Sequence, residues 1–285
     1  MKLRQTILMT LLGAMPVAGM AQRHVPVTAP EKLFEEGKQL FIKKDYPAAL
    51  RALSDYLKTG HHSYLMECET DYMLACAAYE LKEQNRIEVL EAYLEEHTDS
   101  PYKNRVNALI ANAYFYQNDY KNAISRFRLC DLDLLGNEER DEMTLHLAMA
   151  YIKTGNMDEA YALLSVVEAC TPKYRSDVTF YKAYIDYAQK RYTQALPLFV
   201  SLEGDRKYGE EAGVYAADIY LIQGEYDLAL RKASEYLRTN NNGSHALEMQ
   251  RILGGAYYGK WQFDKAQTAL ETYVNGTANP ERNAL

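Results

Sequence analysis

Seven short stretches of the chain share one pattern: a polar turn, then a small or β-branched apolar residue at the head of an apolar face. The marker residues are Ala49, Val89, Ala123, Ala160, Ala195, Ala229 and Ala266, spaced 40, 34, 37, 35, 34 and 37 residues apart. A period in this range marks a helical repeat array. Such an array grows by stacking units that each touch only their neighbours, so 285 residues need not enclose one central core.

Between markers the chain reads helix, tight turn, helix. In the first unit Leu33, Phe34, Gly37, Leu40 and Phe41 recur at helical spacing, Lys44-Asp45 makes the turn, and Tyr46, Ala49, Leu50, Leu53 and Leu57 line a second helix that Gly60 ends. The third unit repeats this with 108–114, 118–120 and Ala123, Ile124 and Phe127, and the sixth with 216–220, 224–226 and Ala229-Leu230. An aromatic stands three before the marker in five units: Tyr46, Tyr120, Tyr192, Tyr226 and Phe263. Twelve before the marker the residue is always small: Gly37, Ala77, Ala111, Ala148, Ala183, Ala217 and Gly254. A small side chain there lets the two helices of a unit approach closely. Pro101 and Pro172 fall where one helix must stop and the next begin.

This constellation resembles the tetratricopeptide repeat family over about residues 31–278. Tyr114, Tyr151, Tyr220 and Tyr257 match that family's first-helix Tyr, from which Asp186 departs. Phe127 and Phe199 match its second-helix aromatic, with Leu53, Tyr93, Leu164 and Leu270 as conservative substitutes and Ala233 as a weak one. The resemblance implies an all-α fold, a right-handed α-α superhelix or solenoid of about seven such helix-turn-helix repeats. It does not imply a ligand, because fold and function are separable.

Residues 1–21 read as an export signal. Lys2 and Arg4 precede the apolar run Ile7 to Leu12, and Gly19-Met20-Ala21 sets cleavage before Gln22. Export to a bacterial periplasm is therefore expected, followed by an extended leader over 22–30. Without Lys2 and Arg4 the balance is 39 acidic to 30 basic side chains, a formal charge of −9, which disfavours nucleic acid. Contact with a membrane is expected only through a partner. Asn279-Pro280-Glu281 has the form of a helix start. Residues 279–285 are thus read as the start of a further helix or a linker. The last unit would otherwise lack a polar cap, so continuation beyond Leu285, or self-association through that end, is expected.

No site of chemistry is visible. The sequence has no His-Glu-x-x-His, Cys-x-x-Cys, phosphate loop or Gly-x-Ser-x-Gly, and its carboxylates read as solvated helix faces. His61-His62 reads as a solvated loop pair without a third ligand nearby. The four cysteines read as buried, inert thiols. Cys68 and Cys76 are about 12 Å apart along one helix, and Cys130 and Cys170 belong to helices about 8–10 Å apart. The expectation is no enzyme, with no catalytic, cofactor-binding or metal site.

What remains is a surface. In the resembled family the concave wall is lined one and four or five places beyond the small first-helix residue. Those positions here are Asn112, Phe115 and Tyr116, then Met149, Ile152 and Lys153, then Tyr184 and Tyr187, Asp218 and Leu221, and Tyr258. Tyr and Phe offer large, rigid contact area, though each ring has an equal claim to be packing against the next repeat. Ala108 stands where a Lys-Asn carboxylate clamp for chaperone tails would need Lys, so that clamp is not supported. Asp218, Glu142, Asp177, Glu211 and Glu248 near the groove edge favour a basic or neutral segment. The chain is read as an exported scaffold binding a partner protein or extended peptide in cell-envelope assembly or secretion. The alternatives are a carbohydrate-binding envelope protein and the non-catalytic part of a larger peptidoglycan enzyme.

Overall fold

The computed structural model describes residues 30–60 and 62–277, and these are all helix, turn and loop. In chain order the helices are α1 Pro30–Ile42, α2 Tyr46–Lys58, α3 Tyr64–Glu80, α4 Arg86–Glu96, α5 Lys103–Tyr116, α6 Tyr120–Phe127, α7 Asn137–Thr154, α8 Met157–Cys170, α9 Arg175–Ala188, α10 Tyr192–Ser201, α11 Gly209–Ile222, α12 Tyr226–Thr239, α13 Ala246–Gly259 and α14 Phe263–Gly276. Single 3-10 turns precede α7 and α9. The odd-numbered helices are the first members of the expected pairs and the even-numbered the second. The fold is therefore the expected all-α helical repeat type. It groups into two compact units that part between Asn156 and Met157. No described helix is long and apolar enough to cross a membrane. The export signal, nearly all of the leader, His61 and residues 279–285 lie outside the described residues.

Each first helix ends in the same way. One residue takes the left-handed conformation: Lys44, Lys82, Asn118, Gly155, Lys190, Gly224 and Trp261. The next amide then donates to the carbonyl four residues before that one, at 2.7 to 3.1 Å in all seven turns, as from Asp119 to Tyr114. This bond satisfies a carbonyl that the helix end would leave open. Asp45 and Asp119 then cap the second helices by accepting from the amides of Ala48 and Asn122.

The seven markers are all essentially inaccessible to water. In six units the small residue stands seven before the left-handed one. The second turn is two residues longer, so there the equivalent place falls to Ala75; Ala77, expected from counting back from Val89, sits two positions further on. The close approach is real. A Cβ added at Gly37 would lie 2.6 Å from the Leu53 side chain, and one at Gly254 would lie 2.6 Å from Leu270.

Two local expectations are corrected. All four cysteines are free thiols, but only Cys68 and Cys76 are buried, while Cys170, the last residue of α8, is exposed. Burial pushes the thiols of Cys76 and Cys130 up to about 12. His62 is not a solvated loop residue. Its side chain is 11% exposed, with its ring 5.7 Å from that of Tyr56 and Nδ1 3.4 Å from Glu67.

The left-handed turns give a direct test. Nothing lies within 4 Å of a Cβ added at Gly155, Gly224 or Gly213, so substitution there reports backbone alone. Gly155→Ala and Gly224→Ala should each lower stability by about 1 kcal/mol. Gly213→Ala, inside α11, should raise it by up to about 1 kcal/mol. Urea denaturation reads both, and equal effects at the three glycines would contradict the assignment.

Candidate functional site

The expected groove residues take three different places. The position four beyond the small residue closes the hairpin. Phe41, Phe115, Tyr187 and Tyr258 each meet the first aromatic of the following helix edge-on, at 5.7, 5.9, 5.7 and 5.6 Å. The geometry repeats because the left-handed turn swings the second helix back onto the same ring. Ile152 is also buried, and Leu221 packs beside Gly255. Tyr187 and Tyr184 both also meet Tyr215 edge-on, at 4.9 and 6.0 Å. Packing accounts for these side chains except Tyr258, whose ring touches Phe263 but stays largely exposed.

The position one beyond the small residue supports two buried polar ladders, one in each compact unit. In the first, Asn112 Nδ2 donates to the Tyr79 hydroxyl at 2.8 Å, and its Oδ1 accepts from His146 Nδ1 at 2.7 Å. The His146 ring stacks on Phe115 at 4.4 Å. This ladder crosses α3, α5 and α7. In the second unit the Tyr187 hydroxyl donates to Asp218 at 2.5 Å, and Arg251 donates to both Asp218 and Glu248. That ladder crosses α9, α11 and α13. Asn112 and Asp218 are buried, and their polar atoms are engaged with neighbouring helices.

The third place is open to water. Tyr116 is 59% exposed, Tyr258 is 65% exposed, and Lys153 is exposed. Met149 and Tyr184 are half-buried. Tyr116 also leans edge-on against His146 at 5.4 Å, so its ring is held from beneath while its outer face meets solvent.

Sequence reading passed over Tyr79, His146, Tyr215 and Arg251. Their signal was an offset of 31 to 34 residues between polar or aromatic positions on successive first helices. The carboxylates are also not all solvated. Asp71, Asp141, Asp186 and Asp218 are buried. Asp186, the departure from the first-helix Tyr, accepts from Arg191 Nε at 2.8 Å and so closes its own turn with an ion pair. Nor are metal-ligand types dispersed throughout: Asp71, Glu96 and His97 come together although 26 residues separate the first from the last.

Two grooves lie away from the expected wall, between successive second helices. One of about 720 Å³ is lined by Asp158, Tyr161, Asp186, Arg191 and Leu198. The other, of about 530 Å³, is lined by Glu91, Leu94, Lys103, Asn107 and Arg126. An ion pair marks each of them, Arg191 with Asp186 and Arg126 with Glu91.

Burial raises the phenols of Tyr72, Tyr79, Tyr93, Tyr187, Tyr208 and Tyr215 above their ordinary value, and for Tyr187 the Asp218 carboxylate adds to it. A folded-state value raised above the unfolded one stabilises the protein below about pH 10, and that contribution is lost as pH climbs further. Absorbance titration of the native chain should leave these six phenols protonated near pH 10.5. They should ionise only with loss of helical circular dichroism at higher pH. Ionisation of all 25 tyrosines near pH 10 with the helix intact would contradict the packing described.

Residues 109–175 match the family model for the tetratricopeptide repeat. No curated protein matches the chain. Among solved structures, the chain is similar to the C-terminal part of a TPR repeat-containing protein from Cytophaga hutchinsonii, at 15% identity over 87% of this chain and 97% of that one, with a TM-score of 0.60. It is also similar to pilF of Pseudomonas aeruginosa, at 15% identity over 78% and 96%, with a TM-score of 0.54. A tetratricopeptide repeat protein from Parabacteroides merdae gives 15% identity over 89% and 95%, with a TM-score of 0.51. These likenesses speak to fold alone: the chain folds as a helical repeat array of the tetratricopeptide type, and residues 109–175 carry that family's sequence pattern.

Proposed function

We propose that the chain is an exported interaction scaffold that takes an extended segment of a partner protein along its first-helix faces, in cell-envelope assembly or secretion. Proteins of the tetratricopeptide type are generally scaffolds for protein or peptide partners rather than catalysts. The observation that carries the reading is the division of labour on those faces. Buried ladders through Asn112 and Asp218 fix neighbouring helices, and Tyr116, Lys153 and Tyr258 stand exposed beside them. Rigid rings on a fixed base lose little entropy on binding. Glu142, Glu211 and Glu248 keep partial exposure on first helices and would draw a basic or neutral segment. Export rests on the charged, then apolar, then small-residue order of residues 1–21.

The test is site-specific photo-crosslinking in the native cell, with the photoreactive residue at 116 or 258 and, as a control, at exposed Lys121 on α6. Discrete adducts with an envelope protein from 116 or 258, and none from 121, are expected. The mature chain should begin at Gln22 and fractionate with the periplasm. Adducts only from 121, or retention in the cytoplasm with residues 1–21 intact, would refute the proposal.

A further inference from the structure

The deepest polar cluster in the first unit is not on the first-helix face at all. Helix α4 ends at Glu96, and His97 is its C-terminal cap. Both come up against Asp71 in the middle of α3. One ligand atom from each of the three residues lies within 4.8 Å of the other two, and His97 Nε2 is 3.0 Å from an Asp71 carboxylate oxygen. The side chains of His97 and Asp71 are 5% and 1% exposed. Helix α3 is buried on every side from Thr70 to Ala78, so the carboxylate stands inside the unit.

An Asp-His hydrogen bond accounts for only part of this arrangement. A second carboxylate, the half-exposed Glu96, is brought to the same place as buried Asp71, where like charges repel. The His97 ring is held between Tyr64 and Tyr93, at 5.8 and 4.9 Å. The Tyr93 hydroxyl is itself engaged with Ser100 at 2.5 Å and Cys68 at 3.3 Å. The ring is thus positioned by packing, with two carboxylates beside it as further oxygen donors.

We propose that Asp71, Glu96 and His97 form a binding site for a first-row divalent transition cation, with Zn²⁺ the fitting case. The donor set is one imidazole nitrogen and two carboxylate oxygens, which suits zinc and its neighbours better than calcium or magnesium, whose shells are all oxygen. Zinc–nitrogen and zinc–oxygen bonds near 2.0–2.2 Å set tetrahedral ligands about 3.3 Å apart. The three atoms already lie within 4.8 Å of one another. Three protein ligands leave a fourth position for water. Uptake at Nε2 replaces the Asp71 hydrogen bond: the Nε2 proton is given up to solvent and one is taken up at Nδ1, leaving a neutral imidazole whose Nε2 lone pair binds the ion. The ion ties α3 to α4 across the lengthened second turn.

The experiment titrates the chelator-treated, untagged mature chain with ZnCl₂ by calorimetry and follows its melting temperature. One ion per chain and a rise in melting temperature are expected. Glu96→Gln, at a half-exposed position, should weaken uptake at least tenfold with circular dichroism unchanged. Asp71→Asn should abolish it, while His62→Gln should leave it as it was. If Asp71→Asn fails to fold, Glu96→Gln decides. No uptake by the unsubstituted chain, or equal uptake by Glu96→Gln, would overturn the proposal.

Discussion

The close approach of two helices at one small residue is the constraint on which this structure depends. Where Gly37 faces Leu53 and Gly254 faces Leu270, there is no room for one more carbon. That contact sets the separation within a hairpin, and the left-handed turn seven residues later sets its angle. With both fixed, the first aromatic of the second helix in four of the seven hairpins finds a partner in the ring at the end of the first helix. Burying Leu53 or Phe199 completely then stabilises each pair by roughly 1.5–3 kcal/mol per side chain.

The proposed function rests on what this packing leaves over. The residues that make the period conspicuous are enclosed, so they cannot recognise anything. Asn112 and Asp218 look like groove residues by position, yet their polar atoms link neighbouring helices. Tyr116 and Lys153, one step further round, and Tyr258 at the hairpin-closing position are left exposed. They differ in chemistry from repeat to repeat, which is what the proposed binding surface would need.

Much of the architecture was legible because a packing constraint repeated in space leaves a period in sequence. Small residues and turn residues at fixed offsets were enough to locate nearly every hairpin. The second hairpin slipped by two, from Ala77 to Ala75, because its marker was counted from the second helix and its turn is longer. The candidate site was legible only in outline. Helical spacing places Phe115 and Tyr187 on a face, but whether a ring meets solvent depends on the neighbouring helix. Likewise Asp71 and His97 carry no ligand spacing, since the fold rather than the local chain brings them together. Cys170 was misread for a similar reason: it ends a helix, and composition says nothing of where the next helix covers it.

The most direct measurement is overpacking at the small position. Ala217 on α11 is fully buried, whereas Ala162 on α8 is exposed. Leucine should cost about 1–3 kcal/mol or more at 217 and next to nothing at 162, read by urea denaturation of the two variants. Ala217→Leu unfolding at the same denaturant concentration as the parent chain would mean that close helix contact does not govern this fold.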